Sequence, residues 1–374
     1  MTPLATAIAE EIRSYGPMTV ARFMELALYH PEFGYYAAGP PRAGWRGHFL
    51  TSAELDGAFG ELWGRAFEDV WASCGRPAQF DVVEIGPGEG GFARSVLDNV
   101  GGDFSRALRY RLVEPSEPLR ARQMSRLDGR TETSWTTSID ALPRLGAACI
   151  FANEVLDNQP VHMVENRDGA IQEVLVDLGD GGFSTRTAPA GPDLVAWLDD
   201  IGLDMPRGGR AEVGRAADQL VAAAADRLER GALIMCDYGM TAIDAARRTR
   251  GTVACYSETG VDDDFLDAPG TKDITAHVNW TAIVRTLEAA GTTVSTVLSQ
   301  RTVLKKLGID EVHNQLRERA QQGGVEGVRA LSRRQALGIL TDPGGLGALG
   351  VLVATKAIAI PEWSTDARMI GAGP

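Results

Sequence analysis

The sequence predicts an α/β fold, a parallel sheet with helices on both faces. Short apolar runs bounded by Gly, Asn or Asp alternate with helical patterns from residue 80 onward. The runs end in polar residues that open onto one rim, where ligands bind in such sheets. The chain has 374 residues, 44% hydrophobic and 23% charged, the balance of a folded protein.

The elements follow in order. "LATAIAEEIRSYG" places Leu4, Ile8 and Ile12 at i, i+4, i+8, and Gly16-Pro17 ends that helix. "MTVARFMELALYH" offers Thr19 as an N-cap and stops before Pro31. A third helix spans "SAELDGAFGELWGRAFEDVWASCG", whose Phe59, Trp63, Phe67 and Trp71 form a stripe expected to be core. "FDVVEIG", "RYRLVEP", "AACIFANEVLDNQP" and "GALIMCDYG" read as strands, separated by the helices "GFARSVLDNV" and "SEPLRARQMSRL". Residues 161–187 alternate apolar and polar with Gly turns, as antiparallel strands do. Residues 242–275 look irregular and 309–340 helical; "TTVSTVLSQ" and "GALGVLVATK" complete the sheet. The run around "VLVATKAIAI" is broken by Lys356 and is too short to span a bilayer.

A net charge of −13 argues against a nucleic-acid partner. Cys74, Cys149, Cys236 and Cys255 are scattered without a C-x-x-C, and His30, His48, His162, His277 and His313 show no ligand spacing, so no metal is expected. The N-terminus carries Glu10 and Glu11 and lacks a long apolar stretch, which reads as a cytoplasmic protein with no membrane partner.

The stretch "VVEIGPGEGGFARSV" carries two overlapping patterns. Gly86, Gly88 and Gly91 fit G-x-G-x-x-G, a dinucleotide loop; Gly86, Gly88 and Gly90 fit G-x-G-x-G with Pro87 inside. A carboxylate beside a pyrophosphate is repelled, whereas a sulfonium and an ammonium tolerate acid. Glu84 ahead of the turn and Glu89 within it therefore favour S-adenosylmethionine over NAD. Glu114 ends the second strand, where an acid can accept hydrogen bonds from ribose hydroxyls of either cofactor.

Methyl transfer needs positioning of donor and acceptor and a group that takes a proton. Glu154 and Asp157, at i, i+3, share one side if "EVLD" forms a helical turn, and two carboxylates can grip a guanidinium. His162 and His277 are candidate bases, and Asp237 stands at the rim.

"ARFMELALYHPEFGYYA", "GHFLTSAELDGAFGELW", "EIGPGEG", "ANEVLDNQPVH", "DYG", "PGTKDITAHVNWT" and "GVLVATK" stand in this order from about residue 17 to 356. In them the chain resembles the MidA family of class I S-adenosylmethionine-dependent methyltransferases. That family includes a mitochondrial complex I assembly factor that methylates a protein arginine. The resemblance implies a Rossmann-like, seven-stranded core. It also implies an N-terminal helical extension over 1–75 and a methyltransferase domain over 76–374, with insertions at about 161–227, 242–290 and 301–345 forming an acceptor-side cap. It carries Glu84, Gly86, Pro87, Gly88, Gly90, Glu114, Pro115, Tyr36, Thr51 and Ser52 to the cofactor site. It places Asn153 and Glu154 beside the methyl group, where Asp157 and His162 complete the expected catalytic set, and lets Tyr35 or Tyr36 close over the cofactor. His48, Ala53, Glu89, "DNQP" and Asn279 depart from the family pattern.

The expected activity is transfer of a methyl group to a nitrogen or oxygen of a protein, possible targets including arginine, or of a small molecule. The rivals are a cofactor-binding assembly factor without turnover and, weakest, a NAD-dependent oxidoreductase. The oligomeric state stays open, a homodimer included.

Overall fold

The computed structural model describes residues 2–37, 57–257 and 260–366. A central sheet is built from β1 (Phe80–Ile85), β2 (Leu108–Val113), β3 (Thr133–Thr136), β4 (Ala148–Asn153), β5 (Gly231–Asp237), a split β6 (Thr293–Val294 and Leu298–Ser299) and β7 (Gly350–Lys356). Its spatial order is β3-β2-β1-β4-β5-β7-β6. Neighbours from β3 to β5 are parallel, while β7 runs antiparallel to β5, from Gly231 opposite Lys356 to Asp237 opposite Gly350. Both runs of β6 pair with β7, and between them the Ser295 N–H donates to the Val353 carbonyl (2.8 Å). The strand order reverses between β1 and β4, whose carboxyl ends lie side by side with Ile85 opposite Ala152.

These strands are apolar runs because both faces are covered; every residue of β1 and β5 is buried. On one face lie the helices α3 (Gly57–Ser73) and α4 (Gly91–Asn99). The aromatic stripe of α3 sits in that core as expected, with Phe59, Trp63 and Phe67 fully buried. Burying one such Phe contributes roughly 1.5–3 kcal/mol. The helices Arg215–Arg227 and Trp280–Ala289 cover the other face. Asn279 caps the latter by accepting the N–H of Thr281 and Ala282, so Asn serves the cap as an Asp would.

A second sheet lies outside this core. It pairs Met18–Thr19, His162–Arg167, Ala170–Gly179, Gly182–Pro189 and Arg210–Val213. The helices α1 (Pro3–Tyr15) and α2 (Val20–Tyr29) pack on one side of it, and the helix Pro192–Ile201 on the other. Thr19 caps α2 through the Arg22 N–H (3.1 Å).

Three expectations are corrected. Residues 1–75 are not one helical unit: α1 and α2 belong to the outer sheet, whereas α3 belongs to the central core. Residues 242–275 hold a short helix and a three-stranded sheet, Ala254–Ser257, Gly260–Asp262 and Asp273–Thr275. The helices of 300–340 pack against the α3 side of the sheet through Val303, Leu304, Val312, Leu316 and Leu337, and line no part of the cleft described below. No helix among the described residues is long and apolar enough to cross a membrane.

Candidate functional site

A cleft of about 1710 Å³ opens at the carboxyl ends of β1, β2 and β4, where the strand order reverses. One wall is the turn after β1. Gly86 (φ 64°), Gly88 (φ 52°) and Gly90 (φ 77°) all take left-handed backbone that a side chain disfavours. A Cβ on Gly86 would meet Val155 Cγ2 at 2.8 Å, so the turn is packed on the loop after β4. A Cβ on Gly88 would meet nothing within 4 Å, so that backbone faces open space. No side chain caps the start of α4. From the helix α5 (Glu117–Arg126), Gln123 ties the turn down by donating to the Gly88 carbonyl (2.8 Å).

Glu84 and Glu89 line this wall, but neither is a bare charge. The Glu84 carboxylate accepts the Tyr110 hydroxyl (2.7 Å), and burial pushes its pKa up to about 8 against that hydrogen bond. Glu89 pairs with Arg122 (3.0 Å). Acid around the turn therefore discriminates between cofactors less than the bare sequence suggests.

Glu114 stands at the end of β2, buried at the cleft edge beside Pro115. Its carboxylate accepts the Ser116 N–H (2.8 Å) and, weakly, Gln123 Nε2 (3.4 Å); burial raises its pKa to about 7. Ser116 Oγ donates to the Tyr36 carbonyl (3.1 Å), which brings Tyr36 across this end. Tyr36 lines the cleft, while Tyr35 lies in the α1–α2 core. Thr51 and Ser52 lie outside the described residues, as do His48 and Ala53.

The opposite wall begins where β4 ends. Asn153 donates to Glu154 Oε1 (2.9 Å), and Glu154 itself is left-handed (φ 53°). Residues 154–160 form bends and turns, so the helical turn expected of "EVLD" is absent. Left-handed Glu154 breaks a helical run at its first residue, and the loop that follows is held by Asp237, at the end of β5. Its carboxylate accepts the N–H groups of Val155, Leu156, Asp157 and Tyr238. Asp237 is thus fully engaged with backbone; burial pushes its pKa up, and the four N–H groups pull it down.

Asp157 lines the cleft, is only 5% exposed, and its Oδ1 has no hydrogen-bond partner. Burial first, then the neighbouring Asp237, Asp273 and Glu154, push its pKa up. Asp273, from the three-stranded sheet, accepts the Tyr36 hydroxyl and Asn158 Nδ2 (both 2.9 Å), and burial raises its pKa to about 7. Tyr29 donates to the Asn158 carbonyl (3.0 Å) and stacks on Tyr36. Tyr238 and Tyr256 complete this wall. The sequence reading passed over Asp273, Asn158, Tyr29, Tyr238, Tyr256 and Gln123. Asp273 does stand inside a motif it quoted, "PGTKDITAHVNWT".

His162 lines the cleft and binds Glu173 through Nδ1 (2.7 Å). His277 lies away from it, in a separate small cavity beside Arg248, where burial lowers its pKa. Among the described residues, no group of three His, Cys, Asp or Glu is placed to hold a metal ion.

This sheet order, its antiparallel β7 and the glycine turn at the switch point define a class I S-adenosyl-L-methionine-dependent methyltransferase. Residues 62–298 match the family described as "Putative S-adenosyl-L-methionine-dependent methyltransferase", and the chain belongs to that family. Its relatives include the mitochondrial protein arginine methyltransferase NDUFAF7 of Danio rerio, 30% identical over 81% of this chain and 76% of the relative. The same protein of Homo sapiens is 29% identical over 83% and 74%. A Burkholderia thailandensis protein crystallised with S-adenosyl-homocysteine superposes with a TM-score of 0.85 at 28% identity, covering 96% of this chain and 94% of that one.

Proposed function

We propose that this methyltransferase modifies the guanidinium of a protein arginine. The observation that carries the reading is the acid of the cleft: among its described lining residues, carboxyl groups outnumber the arginines, Arg22 and Arg120. Arg22 is itself paired with Glu11 and Glu25. Such a cleft favours a cationic acceptor over an anionic one. The relatives named as arginine methyltransferases support the same acceptor.

The residues fit the cofactor. The backbone at Gly88 faces open space that an amino-acid moiety can fill, with the uncapped α4 nearby, and Glu114 offers acceptor oxygens at the end of β2 for ribose hydroxyls. Glu84, Gly86, Pro87, Gly88, Gly90, Glu114, Pro115 and Tyr36 form this pocket in our reading. S-adenosylmethionine supplies an electrophilic methyl: the acceptor N–C bond forms as the C–S bond breaks, and the electron pair stays on sulfur.

The chain does the rest. The turn and Glu114 fix the donor's place; Asn153 holds the Glu154 carboxylate at the end of β4. Glu154 takes the proton that the methylated nitrogen must lose, and Asp157 lies beside it. His162, engaged by Glu173, orients the far wall. Helix α2 and the sheet of 254–275 form the acceptor side. A cytoplasmic location belongs to this proposal on composition alone, beside relatives named mitochondrial.

The test is methyl-labelled S-adenosylmethionine added with the enzyme to a cell lysate, followed by acid hydrolysis of the protein fraction. Label in methylarginine is the expected result. Label confined to small molecules or to other residues overturns the acceptor.

A further inference from the structure

The loop after β4 is fastened twice. Asp237 holds its first half through the N–H groups of Val155, Leu156 and Asp157. Asn158 holds its second half through a side chain. The Asn158 amide nitrogen donates to Asp273 Oδ1 (2.9 Å) and to the Ile274 carbonyl (3.2 Å), and its backbone carbonyl accepts the Tyr29 hydroxyl (3.0 Å). Alongside, the Asp157 carbonyl accepts the Ala276 N–H (2.8 Å). Asn158 and Asp273 are both buried, so these bonds are made out of water, where losing one partner is felt by the others.

Tyr36 joins this network to the cofactor end of the cleft. Its ring stacks on Tyr29 at 5.7 Å, and its N–H donates to the Leu28 carbonyl (3.0 Å). Its carbonyl accepts Ser116 Oγ (3.1 Å), and the Ser116 N–H donates to the Glu114 carboxylate (2.8 Å). The backbone of Tyr36 is thus tied to the end of β2. Its hydroxyl is engaged on the other side: the single proton is shared between Asp273 Oδ1 (2.9 Å) and Asn158 Oδ1 (3.2 Å). One residue therefore reaches from Ser116 to the loop that carries Glu154. Asn158 stands in "DNQP", where the chain departs from the family pattern, so this fastening is a feature of the chain itself.

We infer that Tyr36 and Asn158 are a positioning pair: they fix the Glu154 loop against the cofactor end of the cleft and so set the approach of acceptor to donor. Both act through the loop and not on the reacting atoms. An in-line displacement tolerates little misplacement, and a shift of about 1 Å made far from the chemistry can cost about 100-fold in rate. The inference rests on the Glu154 loop as the reacting wall, not on the acceptor being an arginine.

The test is a double-mutant cycle of Tyr36→Phe, which keeps the ring and its stack, and Asn158→Ala. Labelled methyl passed from saturating S-adenosylmethionine to a lysate is counted in the protein and small-molecule fractions. Affinity for S-adenosylhomocysteine and the melting temperature are read on each variant. Each single change slows transfer about ten-fold or more, well below the melting temperature, and leaves S-adenosylhomocysteine affinity within about three-fold. The double variant is at most about two-fold slower than the slower single, because either change opens the same network. Transfer within about two-fold of wild type in either single that folds overturns the pair. So do rate losses that multiply in the double variant, which would make the two residues independent. A loss of S-adenosylhomocysteine affinity equal to the loss of rate gives Tyr36 to the cofactor and overturns it too. A rate that recovers on cooling, or two singles that both fail to fold, leaves a structural role alone and also overturns it. If one single fails to fold, the rate and affinity of the other decide. Label confined to small molecules refutes the arginine reading and leaves this cycle readable, and a normal rate in Glu154→Gln refutes the base without restoring transfer in the pair.

Discussion

The Asp237 carboxylate accepts the Leu156 N–H at 2.8 Å across 81 residues of sequence, joining the end of β5 to the loop after β4. The same oxygen also takes the N–H groups of Val155 and Asp157. That clamp holds Glu154 in left-handed backbone, a conformation costing roughly 1–3 kcal/mol in a non-glycine residue. In Asp237→Asn an amide NH₂ can replace the oxygen facing those donors, or the second oxygen's bond to Tyr238 is lost. Either way a buried donor is stranded, at about 1–3 kcal/mol. Urea unfolding should show a loss of about that size. A variant as stable as wild type would mean that the clamp does not hold the loop.

Gly86 and Val155 should be coupled. Ala at 86 meets the positive φ and puts Cβ 2.8 Å from Val155 Cγ2. Gly86→Ala is expected to weaken S-adenosylhomocysteine binding about ten-fold or more, since the turn must move. Adding Val155→Ala removes the clash but not the strained φ, so it should restore part of that loss. Strict additivity of the two effects in a calorimetric double-mutant cycle would refute the contact.

Glu84 predicts a pH dependence. Its folded pKa is raised to about 8 by burial, above the ordinary carboxyl value of 4.5. The native state therefore binds a proton more tightly than the unfolded chain. Its contribution to stability is fully present below about pH 4.5 and is lost as pH rises through about 8. The total is on the order of a few kcal/mol. Glu84→Gln, which does not titrate, should lose less stability between pH 5 and pH 8 than wild type. Parallel stability–pH curves for the two would show that Glu84 is not protonated in the ligand-free protein.

The strands and their order along the chain were legible because buried parallel strands are short apolar runs, and these end in Gly86, Glu114, Asn153 and Asp237. Caps were legible for the same local reason: Thr19 bonds three residues on. What the sequence could not give is long-range. Tyr36, Asn158 and Asp273 meet across up to 237 residues, and nothing local marks their convergence. Asp237 at a strand end looks the same in sequence whether it meets a ligand or a backbone loop. Glu154 and Asp157 carry helical spacing, but Glu154 takes left-handed backbone, which no local pattern in the sequence announces. Glu89 gave a misleading charge because its partner, Arg122, lies 33 residues on, in helix α5.

Glu154 carries the proposed chemistry, and its substitution separates three roles. It follows β4 at the switch point, with Asn153 Nδ2 donating to its Oε1 at 2.9 Å. Glu154→Gln keeps size and can still accept that hydrogen bond, but it loses charge and basicity. If the carboxylate takes the acceptor's proton, turnover should fall about 10²–10⁴-fold, the usual worth of a general base. Affinity for S-adenosylhomocysteine and the melting temperature should then change little, because the Asp237 clamp on the following three N–H groups does not depend on the Glu154 carboxylate. A role in holding the cofactor's ammonium predicts something else: affinity for S-adenosylhomocysteine should fall in step with turnover. A purely structural role predicts a lower melting temperature, with turnover recovering on cooling. Turnover, calorimetric affinity and thermal melting on this one variant are therefore sufficient to choose among them. Near-normal turnover would remove Glu154 from the proton-transfer step.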